Sequence, residues 1–246
     1  MKNPTVSADL VLGRDNSAIT SFAGAAVHRD IIAPLLALQA DAAAAGFDLR
    51  VISGYRGFER QRAIWNAKAR GERAVLDSGG CALDISQLSS TALVHAILRW
   101  SALPGASRHH WGCDIDVYDG AAVAADYAVQ LTPGEVADDG VFGAMHQWLD
   151  RQFATGRGHG FFRPYDVDRG GIAPERWHLS YAPLAVRCEL VHSVDLLAEA
   201  LAAESDLALQ DTVLAELETI YSRYVAVPNL CYPAEYATEL RGGKVI

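Results

Sequence analysis

Hydrophobic and polar positions recur along the chain with two different spacings, which together predict a fold that mixes helices with short strands. Helical spacing extends over five segments: residues 27–45, 58–70, 91–100, 141–153 and 183–225, the last with a break expected near Ser205 and Asp206. Pro34 predicts that the first of these helices has irregular first turns or starts near Pro34. Strand-like alternation extends over four segments: residues 47–53, 113–118, 161–165 and 177–181. Short strands separated by helices predict an α+β fold.

The predicted strand 113–118 is the most informative of these segments, because its two faces differ in chemistry. Its odd-numbered positions are apolar, whereas Asp114 and Asp116 fall on the opposite face. Two carboxylates on one face of a strand can look into the same pocket. The segment therefore predicts an acidic site at the surface of a small sheet.

Composition and charge narrow the classes of function. The chain has 246 residues, of which 50% are hydrophobic, and a formal net charge of −9. Such a chain can bury a core without disulfide or metal support. The negative charge argues against nucleic acid or an anionic membrane surface as a partner, since both attract a basic protein surface. The four cysteines lie far apart and form no Cys-x-x-Cys pair, which predicts reduced thiols.

The expected location follows from two absences in the sequence. No apolar run reaches the roughly 18 residues of a membrane span. The N-terminus, residues 1–6, lacks the apolar core of a secretion signal. These features predict a cytoplasmic protein without a membrane span, although a trimmed N-terminus would leave a periplasmic location open.

Histidines and carboxylates concentrate in two segments, residues 107–116 and 175–178. Imidazole nitrogens and carboxylate oxygens are usual zinc ligands, and a catalytic zinc takes three protein ligands while one position stays open. A nearby carboxylate that is not a ligand can act as a general base. Pro174 precedes Glu175, which predicts that Glu175 lies on a loop and reaches the same pocket as His178.

Three segments together resemble the zinc D-Ala-D-Ala carboxypeptidases and dipeptidases, a family that includes vancomycin-resistance enzymes. Residues 107–116 fit Ser-x-His-x-x-Gly-x-x-x-Asp, and residues 175–178 fit Glu-x-Trp-His. Residues 53–56 form the Ser-Gly-Tyr-Arg segment that precedes them, and the three segments occur in the family's order. The resemblance implies a small antiparallel sheet flanked by helices.

The resemblance also implies a role for each matching residue. His109, Asp116 and His178 would bind one catalytic zinc ion, and Glu175 would activate the water. Arg56 would bind substrate or stabilise the oxyanion. Four further side chains are candidates for substrate binding or for support of the ligands: Tyr55, Ser107, Asp114 and Trp177. The substrate would be a peptidoglycan-derived peptide that ends in D-Ala-D-Ala.

Two departures and three alternatives stay open at this point. Asp114 stands where the family usually has a small residue, and His110 follows His109, so each competes on paper as a ligand. The same signature fits an L,D-carboxypeptidase or an L-Ala-D-Glu endopeptidase. A zinc-stabilised peptide-binding module without turnover belongs to a different class, and the presence of Glu175 argues against it.

The pattern divides the chain into two parts. Residues 1–182 are expected to form the catalytic domain, and residues 183–246 a mostly helical C-terminal extension packed on it. The resemblance does not explain the extension. Its leucine-rich stretches are candidates for packing on the core or for a homodimer contact.

Overall fold

The computed structural model describes the backbone of residues 6–243 and the side chains of residues 6–240. In this part of the chain the strands are β1 (Ile19–Phe22), β2 (Ala25–His28), β3 (Leu49–Ser53), β4 (Asp114–Asp119), β5 (Phe161–Phe162) and β6 (His178–Tyr181). The helices are α1 (Ala8–Val11), α2 (Ile32–Ala44), α3 (Phe58–Ala69), α4 (Ser90–Leu98), α5 (Pro133–Val136), α6 (Gly143–Ala154), α7 (Ala182–Val191), α8 (Val194–Ala202), α9 (Gln210–Ala215), α10 (Leu217–Ile220) and α11 (Ala234–Gly243).

The larger sheet has four antiparallel strands in the order β3-β4-β6-β5. Its inner strand β4 is buried on both faces, because Ile115 and Val117 pack into the core while Asp114 and Asp116 are also enclosed. The predicted α+β fold with a small antiparallel sheet and flanking helices is confirmed. Asp116 pairs directly with His178 in the register of β4 and β6, which brings two distant parts of the sequence together.

The predicted helix over residues 27–45 is confirmed with the later of its two expected starts, because α2 begins at Ile32, close to Pro34, and not at residue 27. The chain first completes β2, which pairs with β1 as a separate two-stranded sheet, and then makes a 3-10 turn over Arg29–Ile31 before α2 starts. The backbone N–H of His28 donates to the carbonyl of Gly112 at 2.8 Å, which holds this end of β2 in an extended conformation. Pro34 then lies in the first turn of α2, where its missing N–H costs no helical hydrogen bond.

Two other predicted boundaries are wrong. The strand expected over residues 161–165 is limited to β5, which pairs with β6 through two residue pairs. The long helical segment 183–225 is broken not only after α8 but also at His192 and Ser193, and it ends in a π-helical turn over Tyr221–Val225. Ser193 caps the N-terminus of α8, because its side chain accepts a hydrogen bond from the N–H of Leu196.

The described residues form three hydrophobic clusters, of which the smallest consists of Val136, Phe142 and Trp177 and the two larger ones hold most elements together. The first surrounds the larger sheet and includes side chains from α2, α6, α7 and α11. The second joins α3 and α4 to the C-terminal helices α8, α9 and α10. The C-terminal helices therefore pack directly against the elements that carry the sequence motifs. The division of the chain at residue 182, and a dimer contact through the C-terminal region, stay predictions.

Among the helices of the described residues, none has both the length and the apolar character that crossing a membrane requires.

Candidate metal centre

His109, Asp116 and His178 converge at one buried point. A ligand atom from each lies within 4.8 Å of the ligand atoms of the other two. Nε2 of His109 is 3.4 Å from Oδ2 of Asp116, and Nδ1 of His178 is 3.3 Å from Oδ1 of Asp116. The strand register places Asp116 and His178 opposite each other, and a 3-10 turn brings His109 over them.

The 3-10 turn that carries His109 depends on the glycine that ends it. Gly112 has a φ of 66°, in the left-handed region that side chains rarely adopt. A Cβ atom there would lie 2.5 Å from the Cδ1 of Ile19 and 2.9 Å from the backbone nitrogen of His28. Glycine therefore lets the chain turn tightly from His109 into β4 while the β1–β2 hairpin packs against the turn.

Two orphaned atoms support a metal ion at this point. Oδ1 of Asp116 and Nδ1 of His178 are buried, and neither has a hydrogen-bond partner among the described residues. Buried polar atoms normally have a partner, since leaving one unpaired is costly. Two imidazoles and one carboxylate form a donor set that suits zinc with one position open. The three residues therefore fit a divalent ion.

Asp114 orients both imidazole rings. The Nδ1–H of His109 donates to the backbone carbonyl of Asp114 at 3.1 Å, and the Nε2–H of His178 donates to its carboxylate at 3.0 Å. Metal-binding histidines commonly donate their second N–H to such a group, which fixes the ring and the tautomer. The Asp114 side chain lies outside the group of three that converges and contacts the far side of His178.

Glu175 lies on the loop before β6, beside the three converging side chains. Its Oε2 is 3.5 Å from Nδ1 of His178, and its backbone N–H donates to the carbonyl of Tyr165 at 2.9 Å. Burial raises the pKa of Glu175 to about 7, although the charge of His178 opposes the shift. A carboxylate with such a pKa can take up and release a proton near neutral pH.

A cavity of about 290 Å³ opens onto this cluster, and Arg56, Ser107 and Trp177 line it. Nη1 of Arg56 donates to Oε1 of Gln61 at 3.0 Å, and its backbone N–H donates to the carbonyl of His109 at 3.0 Å. The side chain of Gln61 on α3 thus holds the Arg56 guanidinium at the cavity. The Arg56 backbone is hydrogen-bonded to the 3-10 turn that carries His109.

The structure does not bring Tyr55 or the His110 ring to the cavity lining. The Tyr55 hydroxyl donates to the carbonyl of Gly13 at 3.1 Å instead. Nδ1 of His110 contacts the carbonyl of Arg56 at 2.5 Å, and its Nε2 accepts the backbone N–H of Gly105 at 2.9 Å. Because both ring nitrogens are already engaged, His110 has no nitrogen left for a metal ion.

Lys68 and Tyr165 are among the cavity-lining residues that sequence reasoning missed. Lys68 lies on α3 seven residues after Gln61, so two helical turns place both on the same face of the helix. This spacing of seven residues could have predicted that Lys68 lies on the same side of α3 as Gln61. Burial lowers the pKa of Lys68, with Arg73 acting in the same direction and Glu175 opposing.

Comparison with known proteins identifies a family and several relatives. A family model described as VanY, D-alanyl-D-alanine carboxypeptidase, matches residues 24–184. Two uncharacterised Haemophilus influenzae proteins are similar to the chain. One is 55% identical over 67 residues, which cover 27% of this chain and only 46% of that protein. The other is 31% identical over 125 residues, which cover 50% of this chain and 92% of that protein.

Among solved structures, the chain is similar to a VanY D,D-pentapeptidase mutant from a VanB-type vancomycin-resistance cassette, in complex with Zn(II). The identity is 22% and the TM-score 0.47, over 79% of this chain and 88% of that chain. It is also similar to the LdcB LD-carboxypeptidase, with 19% identity and a TM-score of 0.44, over 80% of this chain and 69% of that chain.

Proposed function

Because the chain belongs to the VanY family of D-alanyl-D-alanine carboxypeptidases, we propose that it is a zinc-dependent carboxypeptidase of peptidoglycan-derived peptides ending in D-Ala-D-Ala. The observation that carries the proposal is the convergence of His109, Asp116 and His178 with Glu175 beside them. His109, Asp116 and His178 would hold one zinc ion. Glu175 would remain free of the ion and act on the attacking water.

The chemistry divides between the ion and the side chains around it. When bound, a zinc ion would act as a Lewis acid that polarises the scissile carbonyl and lowers the pKa of a water molecule. The Glu175 carboxylate accepts the proton of the attacking water and then donates it to the leaving amine. The Arg56 guanidinium faces the same cavity and stabilises the negative charge that develops on the carbonyl oxygen.

The charges of the cavity favour a peptide substrate whose C-terminal carboxylate lies inside the cavity. Lys68 is half-buried in the cavity wall and has no hydrogen-bond or ion-pair partner among the described residues. A free terminal carboxylate would give this ammonium group the charge-assisted hydrogen bond that it lacks. An endopeptidase substrate would present an uncharged peptide group at the same point. The unpaired cation therefore supports removal of a C-terminal residue.

The experiment is a product assay of the zinc-loaded protein on three defined muropeptides. They are a pentapeptide that ends in D-Ala-D-Ala, the tetrapeptide that lacks the last residue, and the pentapeptide with an amidated C-terminus. We expect release of one D-Ala from the free pentapeptide only. Cleavage of the tetrapeptide alone would make the protein an L,D-carboxypeptidase, and cleavage between L-Ala and D-Glu would make it an endopeptidase.

A binding module without turnover is distinguished by the same assay. Zinc-loaded protein that binds these peptides but leaves all of them intact would contradict the proposal. The Glu175→Gln variant serves as the negative control for hydrolysis. Glu218→Gln is its matched control, because Glu218 is an exposed glutamate on α10, which contributes to the second hydrophobic cluster rather than to the cavity.

A further inference from the structure

Asp114 is the buried centre of a hydrogen-bond network behind His178. Its side chain is fully enclosed, and its Oδ1 accepts from Nε of Arg108 at 2.7 Å as well as from Nε2 of His178 at 3.0 Å. The thiol of Cys113 lies 3.3 Å from the second carboxylate oxygen. One carboxylate thus connects a candidate metal ligand to a buried guanidinium group.

Arg108 extends the network away from the candidate metal centre. Its Nη1 donates to Glu189 at 2.6 Å and to the hydroxyl of Tyr232 at 3.2 Å, while its Nη2 donates to Ser180 at 2.8 Å. The guanidinium group also lies 4.4 Å above the ring of Trp111. Every nitrogen of the guanidinium group has a partner, so its position is fixed from several sides.

The far end of the network belongs to the C-terminal part of the chain. Glu189 lies on α7, and Tyr232 directly follows the 3-10 turn over Asn229–Cys231. The Tyr232 hydroxyl donates to the same Glu189 oxygen at 3.0 Å that accepts from Arg108. Glu189 and Tyr232 are therefore tied to each other as well as to the guanidinium group.

We propose that the C-terminal part of the chain positions the metal-binding imidazole of His178 through this network. Glu189 and Tyr232 hold Arg108, Arg108 holds the Asp114 carboxylate, and Asp114 holds the ring of His178 with Nδ1 toward Asp116. Asp114, Arg108, Glu189 and Tyr232 act as positioning residues. This inference depends on the proposed metal site, and it gives the C-terminal extension a task in that site.

The charge balance explains why the network needs all its members. A buried carboxylate without a cation is costly, and so is a buried guanidinium group without an anion. A small residue in place of Asp114 would leave Nε of Arg108 and Nε2 of His178 without these partners. The His178 ring could then turn, and the metal site would lose an oriented ligand.

The test compares zinc affinity with the stability of the metal-free protein. The variants are Asp114→Asn, Glu189→Gln and Tyr232→Phe, with Glu239→Gln on the exposed side of α11 as the matched control. Zinc dissociation constants come from competition with a chelating dye, and stability comes from thermal unfolding of the metal-free form. The visible spectrum of the Co(II)-substituted protein reports the geometry of the ligands.

We expect Asp114→Asn to weaken zinc binding about 10- to 100-fold, as loss of such a partner typically does. Glu189→Gln and Tyr232→Phe should weaken it by smaller factors in the same direction and shift the Co(II) spectrum, while Glu239→Gln should match the wild type. Tyr232→Phe removes only one hydroxyl, so it keeps the test valid if the charge variants fold poorly.

Two negative results have different meanings. If the wild type binds zinc and the variants bind it equally well with unchanged Co(II) spectra, the network is only structural and this inference is wrong. A lower melting temperature alone would lead to the same conclusion. If the wild type itself binds no stoichiometric zinc, the proposed function fails first.

Discussion

Asp116 and His178 occupy directly paired positions on the antiparallel strands β4 and β6, with Oδ1 of Asp116 3.3 Å from Nδ1 of His178. Side chains at paired positions of antiparallel strands emerge on the same face of the sheet. The register of two strands thus brings together two groups that lie 62 positions apart in the sequence, at 116 and 178. A slip of one residue would turn one of them to the opposite face.

Replacement of His178 by alanine tests the ligand assignment. The variant should lose most of the bound zinc, because only His109 and Asp116 of the three converging residues would remain. Elemental analysis of the purified protein measures the metal content. His159→Ala is the control, since this exposed histidine is paired with Asp41 and takes no part in the cavity lining. Full zinc content in the His178 variant would place a ligand elsewhere.

Replacement of Glu175 by glutamine separates metal binding from proton transfer. The amide keeps the size of the side chain but cannot accept the proton of the water, so the turnover number should fall by about 10²- to 10⁴-fold. Zinc content should stay at the wild-type level, because Glu175 lies beside the three converging side chains rather than among them. Steady-state kinetics on the free pentapeptide provides the measurement, and a turnover number close to that of the wild type would exclude Glu175 as the base.

Replacement of Lys68 by methionine tests recognition of the terminal carboxylate. Loss of a hydrogen bond to a charged group costs about 1.5–3 kcal/mol, so kcat/KM for the free pentapeptide should fall by about 10- to 100-fold. Any residual activity on an amidated peptide should change little, because its terminus offers no carboxylate to the ammonium group. Arg70→Met is the control, since Arg70 directly follows the same helix but is exposed and pairs with Asp206. Equal losses on both substrates would argue against a carboxylate contact.

The motif segments could be predicted from sequence because their residue types and order carry the chemistry directly. His109, Asp116 and His178 converge in the structure, and Glu175 lies on the expected loop, although their roles stay predictions. The strands β3, β4 and β6 were also found, since their apolar residues alternate over several positions. Local patterns of this kind predict the strands correctly because the tertiary contacts favour the same structure as the local sequence.

The remaining features depend on contacts that a local pattern does not contain. The β1–β2 hairpin was missed because each strand has four residues, and because Ala23 takes a positive φ of 48° beside Gly24 without the usual Asn-Gly signal. Lys68 and the Arg108 network depend on partners from distant segments. Asp114 is a further example. The alternation of β4 predicted a second carboxylate on the face of Asp116, but it did not predict that this carboxylate contacts His178.

His146 provides a test of stability against pH that lies outside the metal centre. Its ring is fully buried on α6, where Nη2 of Arg163 donates to Nδ1 at 3.1 Å. Burial, together with the charges of Arg163 and Arg176, lowers the pKa of His146 to about 3. An unfolded chain binds a proton at this position below a pH of about 6.5. Between these two values the unfolded state therefore holds more protons than the folded state.

The free energy of unfolding should consequently fall as the pH drops from about 6.5 toward 3, with His146 contributing up to about 1.4 kcal/mol per pH unit. His146→Asn keeps an acceptor for Arg163 but cannot be protonated, so its free energy of unfolding should depend less on pH across this window. Denaturant unfolding of the metal-free proteins at several pH values measures the difference. His159→Asn, at an exposed position, serves as the control. If the wild type and His146→Asn lose stability in parallel, protonation of His146 does not contribute to acid sensitivity, and other groups must account for it.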